Sequence, residues 1–112
     1  MASRGGRAIS TAATSTILFG NALTRITEWC FEPGAATSFH RHKYDYVVPP
    51  RTSGKLKLID GENYATFGEL TEGPPYFREA GVEHDAVNTN DYEIVFLEVE
   101  LGELVVDEAM EN

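Results

Sequence analysis

A chain of 112 residues carrying 9 basic and 18 acidic side chains has a formal charge of −9. Its length suits one domain with one core, burying roughly 60–70% of the unfolded surface, and its acidity argues against nucleic acid or an anionic membrane surface as partner. The single Cys30 excludes an intrachain disulfide framework and reads as a small core residue; no apolar run reaches the roughly 18 residues of a membrane-spanning helix, so a soluble, cytoplasmic protein is expected.

The first 27 residues contain Arg4, Arg7 and Arg25, no acid, and many Ser, Thr and Ala, a composition shared with transit peptides. Strand-like runs begin inside that segment, so only residues 1–13 read as a flexible N-terminus. "STILF" and "LTRITEWCF" are β-branched and aromatic, the second closed by the turn residues Pro33 and Gly34. "TSFHRHKYDYVV" is extended and stops at Pro49-Pro50, which cannot continue a ladder. "KLKLID" alternates Leu56 and Leu58 against Lys55 and Lys57, and Asp60-Gly61 then signals a hairpin into "NYATFGEL". "PPYFRE" and "EHDAVN" follow Gly73 and Gly81. In "YEIVFLEVEL", Val95, Leu97, Val99 and Leu101 share an apolar face opposite Glu98 and Glu100. Beyond Arg78 there is no Lys or Arg, while 11 acids follow. Residues 103–112 read as an acidic tail, with a short helix admissible near 103–110.

Seven or eight short strands punctuated by Gly and Pro, without helical periodicity, predict an all-β, single-domain sandwich or barrel over residues 14–102. Trp29, Phe31, Tyr76, Phe77 and Phe96 are expected in its core.

In a strand, residues two apart share a face, so His40 and His42 project together while Arg41 and Lys43 point away. His84 lies on a later strand. Adjacent imidazoles suit a metal ion better than an apolar core, although a surface pair with an unrelated third histidine accounts for the spacing alone.

The spacing of these histidines resembles the two motifs of the cupin family. Gly34 is followed by five residues and then by His40 and His42, with Gly54 near the closing glycine of the first motif. Gly73, Gly81, His84 and Asn88 keep the register of the second. Two departures stand out: Tyr46 occupies the place of the family's usual glutamate, and Glu79 that of its proline. The wording of "ITEWCFEPGAATSFHRHKYDYVV" and "YFREAGVEHDAVN" is similar to that of small single-domain cupins named for β-alanine degradation. The resemblance implies a jelly-roll fold, His40, His42 and His84 as metal ligands, and one divalent transition ion. Iron is placed first, since three-histidine cupins include dioxygenases, with nickel, zinc or manganese behind it.

Even spacing from His42 puts Tyr46 on the ligand face, unless a bulge turns Asp45 there instead. Tyr46 is expected beside the metal as a catalytic or substrate-contacting group; direct ligation and simple packing are the alternatives. Arg25 and Tyr44 are candidate substrate-binding residues, and Asn88 is expected to hold backbone. Without the motif proline, the turn before His84 is expected to be looser. The implied function is a metal-dependent enzyme, dioxygenase-like or a metal-assisted lyase or isomerase, acting on a small polar metabolite. A non-catalytic metal- or metabolite-binding cupin is the alternative. A homodimer is also expected, with an N-terminal strand such as "STILF" a candidate to cross to the partner.

Overall fold

Successive residues of a strand face opposite sides of its sheet, so each strand presents alternate residues to the core. The computed structural model describes residues 11–102, and it places nine strands there: β1 (Thr14–Gly20), β2 (Thr24–Phe31), β3 (His40–Arg41), β4 (Asp45–Val48), β5 (Gly54–Ile59), β6 (Ala65–Leu70), β7 (Tyr76–Arg78), β8 (Glu83–Asn88) and β9 (Ile94–Leu101). The expected acidic tail and short helix lie outside the described residues, as do residues 1–10 of the N-terminal segment. No helix long and apolar enough to cross a membrane occurs among the described residues.

The strands form a five-stranded sheet, β1-β2-β9-β4-β7, and a four-stranded sheet, β3-β8-β5-β6. Neighbours pair antiparallel throughout, as in a jelly-roll sandwich. The first sheet sends Phe31, Val48, Ile94 and Phe96 inward, and the second sends Leu56, Leu70 and Ala86 to meet them. Phe31 and Ile94 are both fully buried, each contributing roughly 1.5–3 kcal/mol by leaving water.

Strand β9 uses its alternation in an unexpected sense. Its apolar face of Val95, Leu97 and Val99 is half-buried on the outer side of the sheet, while Ile94 and Phe96 enter the core. Glu98 and Glu100 share that inner side. The reason is register: β9 sits opposite Phe31, Trp29, Thr27 and Arg25 of β2, so Ile94, Phe96, Glu98 and Glu100 face the same way as those residues. Phe77 also departs from expectation. It is 52% exposed, because Tyr76 and Arg78 take the inner positions of short β7. Cys30, paired with Val95, is half-buried on the outer face rather than in the core.

The long extended run expected around the histidines is broken in two. β3 joins the smaller sheet and β4 the larger, so the chain crosses between layers at Lys43-Tyr44. The β5–β6 hairpin is present, with a turn over Asp60–Tyr64 in which one Asp60 carboxylate oxygen accepts the N–H groups of Glu62 and Tyr64, both at 2.9 Å. Gly54 opens β5 under close cover. A Cβ there would stand 2.7 Å from the Tyr92 hydroxyl and 2.8 Å from Ile94 Cδ1.

Candidate metal centre

Pairing between β3 and β8 assembles the histidines. His40 lies directly opposite His84, a position that brings facing Cβ atoms to roughly 4.5–5.5 Å. His42 is held just beyond the end of β3. Its N–H donates to Val82 O and its carbonyl accepts from Gly81 N–H, each at 2.8 Å. The ring centroids lie 4.7, 4.9 and 5.2 Å apart. His42 Nε2 is 3.1 Å from His40 Nε2 and 3.3 Å from His84 Nε2.

These contacts are difficult to satisfy with protons. His40 Nδ1 lies 2.9 Å from the Ser38 carbonyl, an acceptor, so Nδ1 carries the proton and Nε2 presents a lone pair. Ser38 adopts a positive φ of 77° and is tied by its N–H to an Asp85 carboxylate oxygen at 3.0 Å, which aims that carbonyl at the ring. A proton on His42 Nε2 can serve one neighbouring ring, leaving other lone pairs opposed. One cation serves all three. Two imidazole nitrogens bound about 2.0–2.1 Å from one ion at 90–110° stand roughly 2.9–3.4 Å apart, which brackets the two short separations; all three ligand atoms lie within 4.8 Å of one another.

Electrostatics keeps the ligands available. Burial, then the neighbouring His40 and His84 rings, lowers the His42 pKa to about 3. Burial, then His40, lowers that of His84 to about 4. Both are neutral near pH 7, the form that binds metal. Glu98 reaches in from β9, with one oxygen 3.7 Å from His42 Nδ1. Burial and the adjacent Glu100 raise its pKa to about 7, against the opposing effects of a Trp29 hydrogen bond and Arg25.

An open cavity of about 120 Å³ lies beside the triad, lined by His42, Tyr46, Tyr76, Arg78, His84 and Glu98 together with the apolar Leu56, Leu58 and Phe96. Tyr46 stacks on His42, ring centroids 4.2 Å apart and planes inclined by 16°. Burial raises its hydroxyl pKa above the ordinary value near 10. Asp45 faces away and accepts Ala80 N–H at 2.8 Å. That bond, with the Gly81 N–H to His42 bond, ties the turn where Glu79 replaces proline. Arg25 and Tyr44 are not among the cavity's lining residues. Arg25 Nε donates to Glu100 at 2.6 Å, and Tyr44 occupies the bend where the chain changes sheets and strand parity lapses. Asn88 holds backbone, its amide donating to Phe31 O at 2.9 Å and Tyr92 O at 2.8 Å.

Glu98 and Arg78 were not singled out from sequence. A signal for Glu98 existed, since Ile94 and Phe96 continue its parity and make the first half of that face apolar. Arg78, two residues beyond Tyr76, follows the same rule on a strand too short to display it.

No protein-family model matches the chain. It is 46% identical over 91 residues to the β-alanine degradation protein BauB of Pseudomonas aeruginosa, covering 80% of this chain and 93% of that protein. A crystal structure of a cupin domain from Bordetella pertussis superposes with a TM-score of 0.81 at 41% identity, covering 86% of this chain and 99% of the other. A double-stranded β-helix protein from Klebsiella pneumoniae shares the fold at 18% identity and a TM-score of 0.66, covering 87% of this chain and 83% of the other. With both motifs folded around one cavity and relatives matched along nearly their full length, this chain belongs to the cupin family, among its small members.

Proposed function

We propose that the protein is a metal-dependent enzyme acting on a small polar metabolite, with His40, His42 and His84 holding one divalent transition ion, iron first. The observation that carries this reading is the convergence of three imidazoles, two of them neutral by burial, with Nε2 separations of 3.1 and 3.3 Å, His42 and His84 lining an open cavity. Bound there, such an ion supplies Lewis acidity and open coordination positions for a chelating substrate. Glu98 stands beside His42 Nδ1 and orients that ring. Tyr46 Oη keeps its proton at neutral pH and is placed to donate it to a substrate group. Leu56, Leu58 and Phe96 exclude water from one side.

Dioxygenase-like oxidation is the first reaction class, with metal-assisted lyase or isomerase chemistry second. The relative's β-alanine degradation name supports a small metabolite as substrate. A cytoplasmic homodimer belongs to the same reading, supported by the absence of an intrachain disulfide and by an apolar row on the outer sheet face. The test is metal analysis of protein purified without an affinity tag, followed by oxygen uptake and product analysis with iron-loaded protein and a panel of small acids. Stoichiometric iron with turnover of a panel member supports the enzyme. Stoichiometric iron without turnover of any member favours a binding protein, and no bound metal overturns the reading.

A further inference from the structure

Arg78 is the only lysine or arginine among the described residues lining the cavity. It occupies the inner side of β7 directly opposite Tyr46 of β4, and Tyr46 stacks on His42. Its guanidinium carbon lies 4.4 Å from the centre of the Tyr76 ring, and Nη1 donates to the Phe77 carbonyl at 3.0 Å. Those two contacts orient the group without neutralising it. Among the described residues, no carboxylate lies within ion-pairing distance of Arg78, whereas Arg25 is paired with Glu100 and Arg41 with Glu83.

A guanidinium has five N–H donors in a planar fork. With one engaged by Phe77, the others remain for a planar anion, and a carboxylate is the partner that this fork matches. The group lines the cavity without an ion-paired carboxylate among the described residues, Glu69 and Glu98 being the carboxylates elsewhere on its wall, and His42 and His84 of the triad line the same cavity. Facing residues on paired strands lie roughly 4.5–5.5 Å apart at Cβ, so the span from His42 past Tyr46 to Arg78 suits a molecule a few carbons long.

Resting on the metal-site reading, we infer that Arg78 anchors a substrate carboxylate and that the site selects short carboxylic acids carrying a second donor group for the triad. Arg78 thereby fills the place that sequence alone offered to Arg25.

The test compares 3-hydroxypropanoate with 3-hydroxypropanamide, matched in length and differing in charge, by titration calorimetry on metal-loaded protein whose metal content is measured separately. Wild type is expected to bind the acid about tenfold or more tightly than the amide, in line with a charge-assisted hydrogen bond. Arg78→Gln is expected to lose that preference with metal content and amide affinity unchanged, and Arg78→Lys to restore part of it. A metal-loaded wild type without preference for the acid, or an Arg78→Gln protein that keeps it, overturns the anchor while leaving the metal site standing. Wild type that takes up no metal overturns both, and the metal assay separates this result from the others.

Discussion

Each imidazole in this protein has its partners set by a few neighbouring atoms, and the pH response follows from them. With metal removed, His42 and His84 have folded pKa values of about 3 and 4, below the unfolded value near 6.5. Glu98 has a folded value of about 7, above its unfolded value near 4.5. Between about pH 6.5 and 4.5 the unfolded chain therefore gains two protons at these histidines while the folded chain holds one at Glu98. The net of about one proton favours unfolding, so stability contributed by these groups falls as pH drops through that window. Urea unfolding of metal-free protein at pH 7, 6 and 5 checks the sign. Glu98→Gln removes the opposing proton and should steepen the loss. The same substitution should weaken metal binding by roughly 10–100-fold if Glu98 orients His42, read by competition with a chelator. Tyr46→Phe keeps the ring stacked on His42, so metal content should survive while turnover falls. Unchanged turnover would remove the hydroxyl from the mechanism.

At the scale of elements, the site depends on how strands are joined. Asn88 bridges the end of β8 to Phe31 at the end of β2 and to Tyr92 before β9. Asn88→Ala leaves these carbonyls without their partner, a loss on the order of 2 kcal/mol or more, measurable as a lowered urea midpoint. Gly54→Ala drives a methyl group against Tyr92 and Ile94, and about 1–3 kcal/mol of overpacking is expected. The legibility of these elements was uneven. The β5–β6 hairpin was readable because Asp60-Gly61 and the Leu56/Leu58 alternation act locally. The break between β3 and β4 was not, because both pieces are extended and only their partners, β8 for one and β9 and β7 for the other, separate them.

The whole molecule presents an outer surface that strand alternation left apolar. Register places Phe19, Ile26, Val99, Val47 and Phe77 in one row across all five strands of the larger sheet. A second copy meeting this row about a two-fold axis covers the same residues on both partners, which is the surface expected for the homodimer. Light scattering should therefore give about twice the 12.4 kDa chain mass. Phe77→Glu should reduce it to the monomer while metal content is retained. Wild type scattering as a monomer ends the dimer reading.

The sequence by itself determined the all-β class, most strand positions and, through its resemblance to the cupin motifs, the three histidines as a set, because alternation, turn residues and motif spacing are written along the chain. It also placed Tyr46 beside the histidines and Asn88 on backbone. Only the tertiary structure decided which apolar face of β9 is the core, that Glu98 reaches His42, that Arg25 is held by Glu100, and that Arg78 stands at the cavity. Those outcomes depend on which strand lies opposite which and at what register, and pairing between residues 75 positions apart, such as Arg25 with Glu100, leaves no local trace in the sequence.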